Sequence, residues 1–196
     1  VIPKSIAYRL LSPALSLDEP LRILCRENTL ADLLAELAVH KLDLVIADCP
    51  IPAGLNVQGY NHPLGESGVS FLATPELSEE LGDNFPHNLN GQSMLLPSKI
   101  NNVQTRLLNW LEGLQIYPRI IGEFDDSALM KAFGQAGAGV FIAPTVIASE
   151  VALQYNVEIL GQTEKVREQY FAISAERRIS NPAVSSITAN AREWMQ

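Results

Sequence analysis

Three carboxylates, Glu123, Asp125 and Asp126, stand within four residues in the stretch GEFDDS (122–127). Carboxylate oxygens gathered in this way are what hard cations take as ligands, so the spacing suits a weak sodium site at Glu123, Asp125 and Asp126. The same residues also suit a helix start. An N-cap aspartate accepts a backbone N–H and sits at the positive end of the helix dipole. Asp48 and Cys49 follow an apolar run in IADCPIP (46–52). Cys49 as a nucleophile needs a histidine base within reach. His40 falls at the other end of its strand, and His62 and His87 fall in expected loops. Ser98, with Asn101 or Asn102, opens a helix in LPSKINN (96–102), where free N–H groups and a hydroxyl receive an anion or form an ordinary cap. No GxGxxG, GxSxG, HExxH or phosphate-loop pattern occurs. No residue is assigned a catalytic role, and the chain is not expected to be an enzyme.

The elements that would position these groups alternate. Apolar spacing after Pro3 predicts a helix over about 3–14, LRILC (21–25) a short strand, and LADLLAELAVH (30–40) a helix that Asn28 or Thr29 can cap. LDLVIAD (42–48) then reads as a strand buried on both faces. LNVQGYNHPL (55–64) and SGVSFLAT (67–74) read as two strands, followed by the helical PELSEEL (75–81). From 87 to 160 the alternation repeats. SMLLP, RIIGEF, VFIAP and VEIL are strands, with helices over about 102–114, 126–135 and 145–153. Leu129, Met130 and Phe133 form the expected inward stripe of the middle helix, with Gly134 or Gly137 ending it. REQYFAIS (167–174) is one more strand, and NPAVSSITANAREWM a closing helix with Asn181 as cap. Buried parallel strands alternating with helices place a ligand at the strand carboxyl ends.

Composition narrows the function. A net charge of −8 with 14 basic residues argues against this chain gripping a phosphate backbone by itself. No apolar run reaches the roughly 18 to 20 residues of a membrane span, so no membrane partner is expected. Two cysteines without CxxC spacing and an N-terminal VIPKSIAYRLL unlike a signal peptide point to a reducing cytoplasm.

The stretches LRILCRENTLADLLAELAVHKLDLVIADCP and ALMKAFGQAGAGVFIAP resemble the effector-binding half of LysR-type transcriptional regulators. A helix ending in glycine before an apolar strand and proline is matched at Gly137, Gly139 and Pro144, and the Leu-Asp-Leu strand entry at 42–44. HKLDLVIADCPI, GESGVSF, RLLNWL, GEFDDSALMKAFG and NPAV are similar, more narrowly, to family members that activate sodium/proton antiporter genes. The resemblance implies an α/β fold of two Rossmann-like lobes, periplasmic-binding-protein-like, joined by crossing hinge strands. Residues 1–68 with 166–196 would form one lobe and 69–165 the other. An effector, a small ion such as sodium or a small molecule, would bind between the lobes. By cleft topology its lining is Thr29, Asp48, Cys49, Glu66, Ser67, Ser98, Glu123, Asp125 and Asp126. The resemblance further implies a homodimer, a tetramer in the full-length protein, and promoter DNA held by an N-terminal winged helix-turn-helix that would precede residue 1. The first strand of the first lobe would also precede Pro3. A two-lobe solute-binding protein of periplasmic type is the alternative with the same architecture.

Overall fold

The computed structural model describes residues 2–99 and 102–195. Two compact units divide the chain: a central unit, Ser67–Glu168, and a terminal unit made of Ile2–Glu66 and the segment from Gln169 onward. Both boundaries fall inside long strands, β2 (Tyr60–Ala73) and β6 (Glu158–Ser174), so each of these strands begins in one unit and ends in the other. The four-stranded sheet that contains them runs β1-β6-β2-β5.

In the terminal unit, α1 (Lys4–Leu11) buries Ile6 and Leu10 one turn apart. Pro13 has no N–H to continue an α-helix, and the chain tightens into a 3-10 turn over Ser12–Ser16. The closing helix α7 (Pro182–Trp194) lies against α1: Asn190 donates to the Arg9 carbonyl at 3.3 Å, and the Arg9 guanidinium stands 4.9 Å from the centre of the Trp194 ring. Asn181 caps α7 as its sequence suggests, accepting from the Ala183 N–H at 2.9 Å. Asn181→Ala is therefore expected to cost about 1 kcal/mol, read as a lower urea midpoint with unchanged slope. The helix α2 (Leu30–Ala38) puts Leu34 and Leu37 onto β1 (Val45–Ala47), with Ile173 of β6 completing the core. β1 pairs antiparallel with β6, Val45 opposite Ile173 and Ala47 opposite Phe171.

The strand expected over LRILC does not form. Residues 21–25 have no regular structure, and Leu21 and Leu24 are 40% and 68% exposed. A strand needs a neighbour for its N–H and C=O groups, and among the described residues the one strand paired to β1 is β6. Two other readings change. Of LNVQGYNHPL only residues 60–64 are extended, and they join SGVSFLAT in the single strand β2, while residues 55–59 have no regular structure; VEIL and REQYFAIS join as β6. The polar link GQTEKV carries no period-2 pattern of its own, with Glu164 and Lys165 both exposed between buried Thr163 and Val166; the alternation starts at Val166, after which Glu168, Tyr170 and Ala172 are buried.

In the central unit, β3 (Ser93–Pro97) runs parallel to β4 (Arg119–Phe124). On its other side β3 bridges to Val140, with the Leu95 N–H donating to the Val140 carbonyl at 2.8 Å. Next comes β5 (Phe141–Pro144), antiparallel to β2 over Val69–Leu72. Met94, Leu95 and Leu96 are consequently buried, as an interior strand requires. The helices α3 (Pro75–Leu81), α4 (Asn102–Gly113), α5 (Ser127–Gln135) and α6 (Thr145–Tyr155) connect or flank these strands.

The orientation of α5 differs from the expected stripe. Met130 is buried, but Leu129 and Phe133 are 51% and 47% exposed. Gly134 and Lys131 turn inward in their place. Gly134 decides the rotation, because a Cβ there would lie 2.1 Å from Cδ1 of Phe141 and only a glycine permits that approach. Phe133 packs instead against Phe124, ring centres 5.2 Å apart and the planes tilted by 50°. Gly137, at φ +82°, ends the helix in the left-handed conformation, with the Ala138 N–H returning to the Phe133 carbonyl at 3.1 Å.

Candidate functional site

The carboxyl ends of β3, β4 and β5 collect the polar groups of the central unit. Ser67, 2% exposed, accepts from the Val146 N–H at 3.2 Å and donates to the Gly68 carbonyl at 2.9 Å, which satisfies one amide in the first turn of α6. Beside it the hydroxyls of Ser70 and Thr145 are 2.9 Å apart. Ser98 follows β3, half-buried, with its N–H donating to the Phe124 carbonyl at 2.8 Å. Asn102 is exposed at the start of α4, and Asn101 lies outside the described residues.

Asp126 is the N-cap of α5. Its Oδ1 accepts from the Ala128 N–H at 2.8 Å and its carbonyl from the Met130 N–H at 3.2 Å. Glu123, Asp125 and Asp126 are all exposed. Among the described residues no group of three or more His, Cys, Asp or Glu side chains is placed to hold a metal ion, so these three carboxylates form no cation cage. The capping reading of the acidic stretch is the one the geometry displays.

The terminal unit holds the other predicted lining residues. Thr29 is the N-cap of α2, its hydroxyl accepting from the Asp32 N–H at 3.3 Å and donating to Asp32 Oδ2 at 2.7 Å. Asp48, Cys49 and Glu66 are half-buried. Burial pushes the Cys49 thiol above its usual range, and the charge of Asp48 adds to this, so no thiolate nucleophile is prepared at this position. His62 lies within β2 and not in a loop; its Nε2 is 2.8 Å from the Ser174 hydroxyl. The nine predicted residues thus divide between the units, Thr29, Asp48, Cys49 and Glu66 in the terminal one, the remaining five in the central one.

Sequence reasoning missed Lys131. The side chain is 5% exposed on the inward face of α5, four residues after Ser127, and makes no hydrogen bond or ion pair among the described residues. Its one sequence signal is a lysine in register with Ser127 and Gly134, a pattern usually read as a solvated face. Burial lowers its pKa, while the nearby Asp126 carboxylate partly holds it up. The stability consequence follows in sign. A lysine whose folded pKa lies below its unfolded one destabilises the fold while charged, and the penalty fades as pH rises through the folded pKa to the unfolded value. Lys131→Met is expected to raise the urea midpoint at neutral pH, with the gain shrinking as pH climbs into the usual lysine range. Gln104, 1% exposed on α4, also buries an amide nitrogen that has no acceptor among the described residues. An open groove lined by Thr74, Glu76, Leu77, Glu80, Gln135, Ala136 and Gly137 lies at the other end of α5, away from these groups.

Two α/β units that share two long strands, with helix starts gathered at strand ends, define the class as a two-unit α/β domain. The family model for the LysR substrate binding domain matches residues 2–196, and the chain belongs to that family. It is 38% identical over 186 residues to the transcriptional activator protein NhaR of Escherichia coli (strain K12), covering 95% of this chain and 61% of that protein. The chain thus spans less than two thirds of that relative's length. Solved structures share the fold at lower identity. A reduced form of OxyR from N. meningitidis matches with a TM-score of 0.70 at 14% identity, covering 98% of this chain and 90% of that one. Vibrio fischeri DarR in complex with DNA matches with a TM-score of 0.72 at 16% identity, covering 97% of this chain and 65% of that one. The expected architecture is therefore confirmed, and NhaR is by its name a transcriptional activator. No helix among the described residues is long and apolar enough to cross a membrane.

Proposed function

We propose that this chain is the effector-binding and oligomerisation half of a LysR-type transcriptional activator that controls sodium/proton antiporter genes in response to sodium and pH in the cytoplasm. The observation that carries this reading is the 38% identity to NhaR across 95% of the chain. The charge of −8 supports a division of labour, in which promoter DNA is gripped by a basic part of the protein outside this sequence. The test uses the full-length protein and a reporter under its promoter. Sodium is expected to raise transcription above the level reached with potassium at equal ionic strength, and equal responses to the two salts would refute the sodium reading.

The pairing surface is supported by apolar side chains left open. Tyr8 on the first helix and Leu15 in the 3-10 turn that follows are 72% and 63% exposed, and Leu24 is 68% exposed in the segment after them. In the central unit Tyr117 and Ile121 are 60% and 47% exposed on the edge strand β4 and its approach. Of the apolar residues on the first and fourth helices, Leu10 and Leu107 fill the cores, while Leu11, Leu108 and Trp110 are half-buried. Patches of this kind in both units suit a two-fold dimer, in which the first-helix face of one chain meets the β4 face of its partner and each contact occurs twice. Such a contact would bury at least roughly 1,000 Å². Sedimentation at micromolar concentration is expected to show a dimer, and Ile121→Glu to shift it toward monomer. A wild-type monomer throughout would return the solute-binding alternative. Full-length tetramers would then assemble from such dimers.

A further inference from the structure

We propose that the outward face of α5, with the groove at its far end, docks an amphipathic helix of a partner protein, one with apolar anchors on one face and basic residues at its ends. The helix α5 is built inside out. Its one charged side chain, Lys131, is buried, whereas Leu129, Ala132 and Phe133 are exposed, and the exposed Ala136 continues the same face past the helix end. A surface helix ordinarily turns such residues the other way, since lysine is rarely buried and apolar side chains gain from leaving water. The contact of Gly134 with Phe141 fixes how α5 is rotated, yet it leaves the chemistry of the outward positions open. Polar side chains would fit there equally well, so the apolar stripe marks a surface that something covers. Positions 129, 133 and 136 repeat at helical spacing over about 10 Å, the length of two turns of a docked helix.

The surrounding charge sets the class of partner. Ala136 also lines the groove, where Leu77 of α3 offers a further apolar contact and Glu76 and Glu80, exposed and one turn apart, supply negative charge. The carboxyl end of α5 adds the negative end of its dipole. At the other end of the stripe stand the exposed Asp125 and Asp126. Acid at both ends, with no exposed basic residue on α3 or α5, calls for a basic partner. A second copy offering the same face would set carboxylate against carboxylate, and nucleic acid would be repelled. The proposed pairing surface, with Tyr117 and Ile121, uses none of these residues, and the docking face rests neither on that dimer nor on sodium control.

The experiment adds a synthetic amphipathic helical peptide of leucine and lysine to the chain and follows backbone amide resonances by NMR. Saturable shifts are expected at Leu129, Ala132, Phe133 and Ala136 and around Glu76 and Glu80, with none in α7. Leu129→Ser and Phe133→Ser are each expected to weaken binding at least about tenfold, as for an anchor at the centre of a contact. Phe133 also packs on Phe124, so Leu129→Ser, outside that ring pair, carries the test if Phe133→Ser unfolds. Glu76→Gln combined with Glu80→Gln is expected to weaken binding about twofold to fivefold at low salt and less at high salt. A peptide with serine in place of leucine is expected to give no saturable shifts, and equal binding of the two peptides would reduce the face to bare charge and overturn the proposal. Shifts spread over other acidic surfaces, or an affinity unchanged in Leu129→Ser, would defeat it as well. Sedimentation in which Leu129→Ser abolishes self-association of the chain would make a second copy the occupant, and the basic partner would be ruled out.

Discussion

Replacing Phe71 by alanine is expected to lower the stability of the central unit by about 3 to 5 kcal/mol, the range for deleting a buried aromatic ring. Phe71 is fully buried in β2, opposite Ile142 of β5. Its ring meets Phe85 edge-on at 5.2 Å and Trp110 at 6.2 Å. Relaxation into the void is restricted on both sides. Phe85 is itself packed over Gly161, where a Cβ would lie 2.4 Å from its ring, and Trp110 is fixed by α4, whose Leu107 and Leu111 are fully buried. The site therefore keeps most of its cavity, and the upper part of the range applies. Urea unfolding followed by fluorescence checks this, since Trp110 borders the void and its emission is expected to move to longer wavelength before any unfolding. A loss below about 1 kcal/mol would mean that the three rings do not form the core of this unit.

The central unit was the more legible part of the chain. SMLLP, RIIGEF and PELSEEL form elements with the boundaries their residues suggest, because proline, glycine and capping side chains mark their ends locally. LRILC failed for a reason no local pattern holds: its residues favour a strand, but a strand exists only where another offers hydrogen bonds. The lengths of β2 and β6 were hidden by polar residues in their middles, some of which, such as Ser67 and Thr163, are buried within the strands.

The candidate site was half legible. Asp126 and Thr29 could be read as caps, because a cap is a local bond between neighbours in sequence. Lys131 could not. Whether a lysine on an amphipathic helix faces water depends on how that helix is rotated, and in α5 a contact with the distant Phe141 sets the rotation. The same contact explains why Leu129 and Phe133 ended outside, against the usual preference of large apolar residues.

That contact makes Gly134→Ala the second large effect, and its sign rests on two opposing contributions. In an open helix interior, glycine to alanine stabilises by about 1 kcal/mol. At Gly134 the added Cβ would stand 2.1, 2.5 and 2.9 Å from Cδ1, Cε1 and Cγ of Phe141, far inside contact distance. Phe141 is fully buried, begins β5 and pairs opposite Leu72 of β2, so its ring has no free space to enter. Relief requires α5 to rotate or lift, which uncovers Met130 and releases Lys131 from burial. Overpacking of this kind costs about 1 to 3 kcal/mol, the upper end applying where the neighbour cannot withdraw, so a net loss of roughly 2 kcal/mol is expected after the helix gain. Gly113→Ala is the control. It sits at the end of α4 with nothing within 4 Å of the added carbon, and is expected to be neutral or to stabilise by up to about 1 kcal/mol. Urea midpoints of the two variants should therefore move in opposite directions or separate clearly, and in Gly134→Ala the Lys131 resonances should shift toward those of an exposed lysine. Equal midpoints for the two variants would show that Phe141 does not hold α5 in place, and that the burial of Lys131 has a different cause.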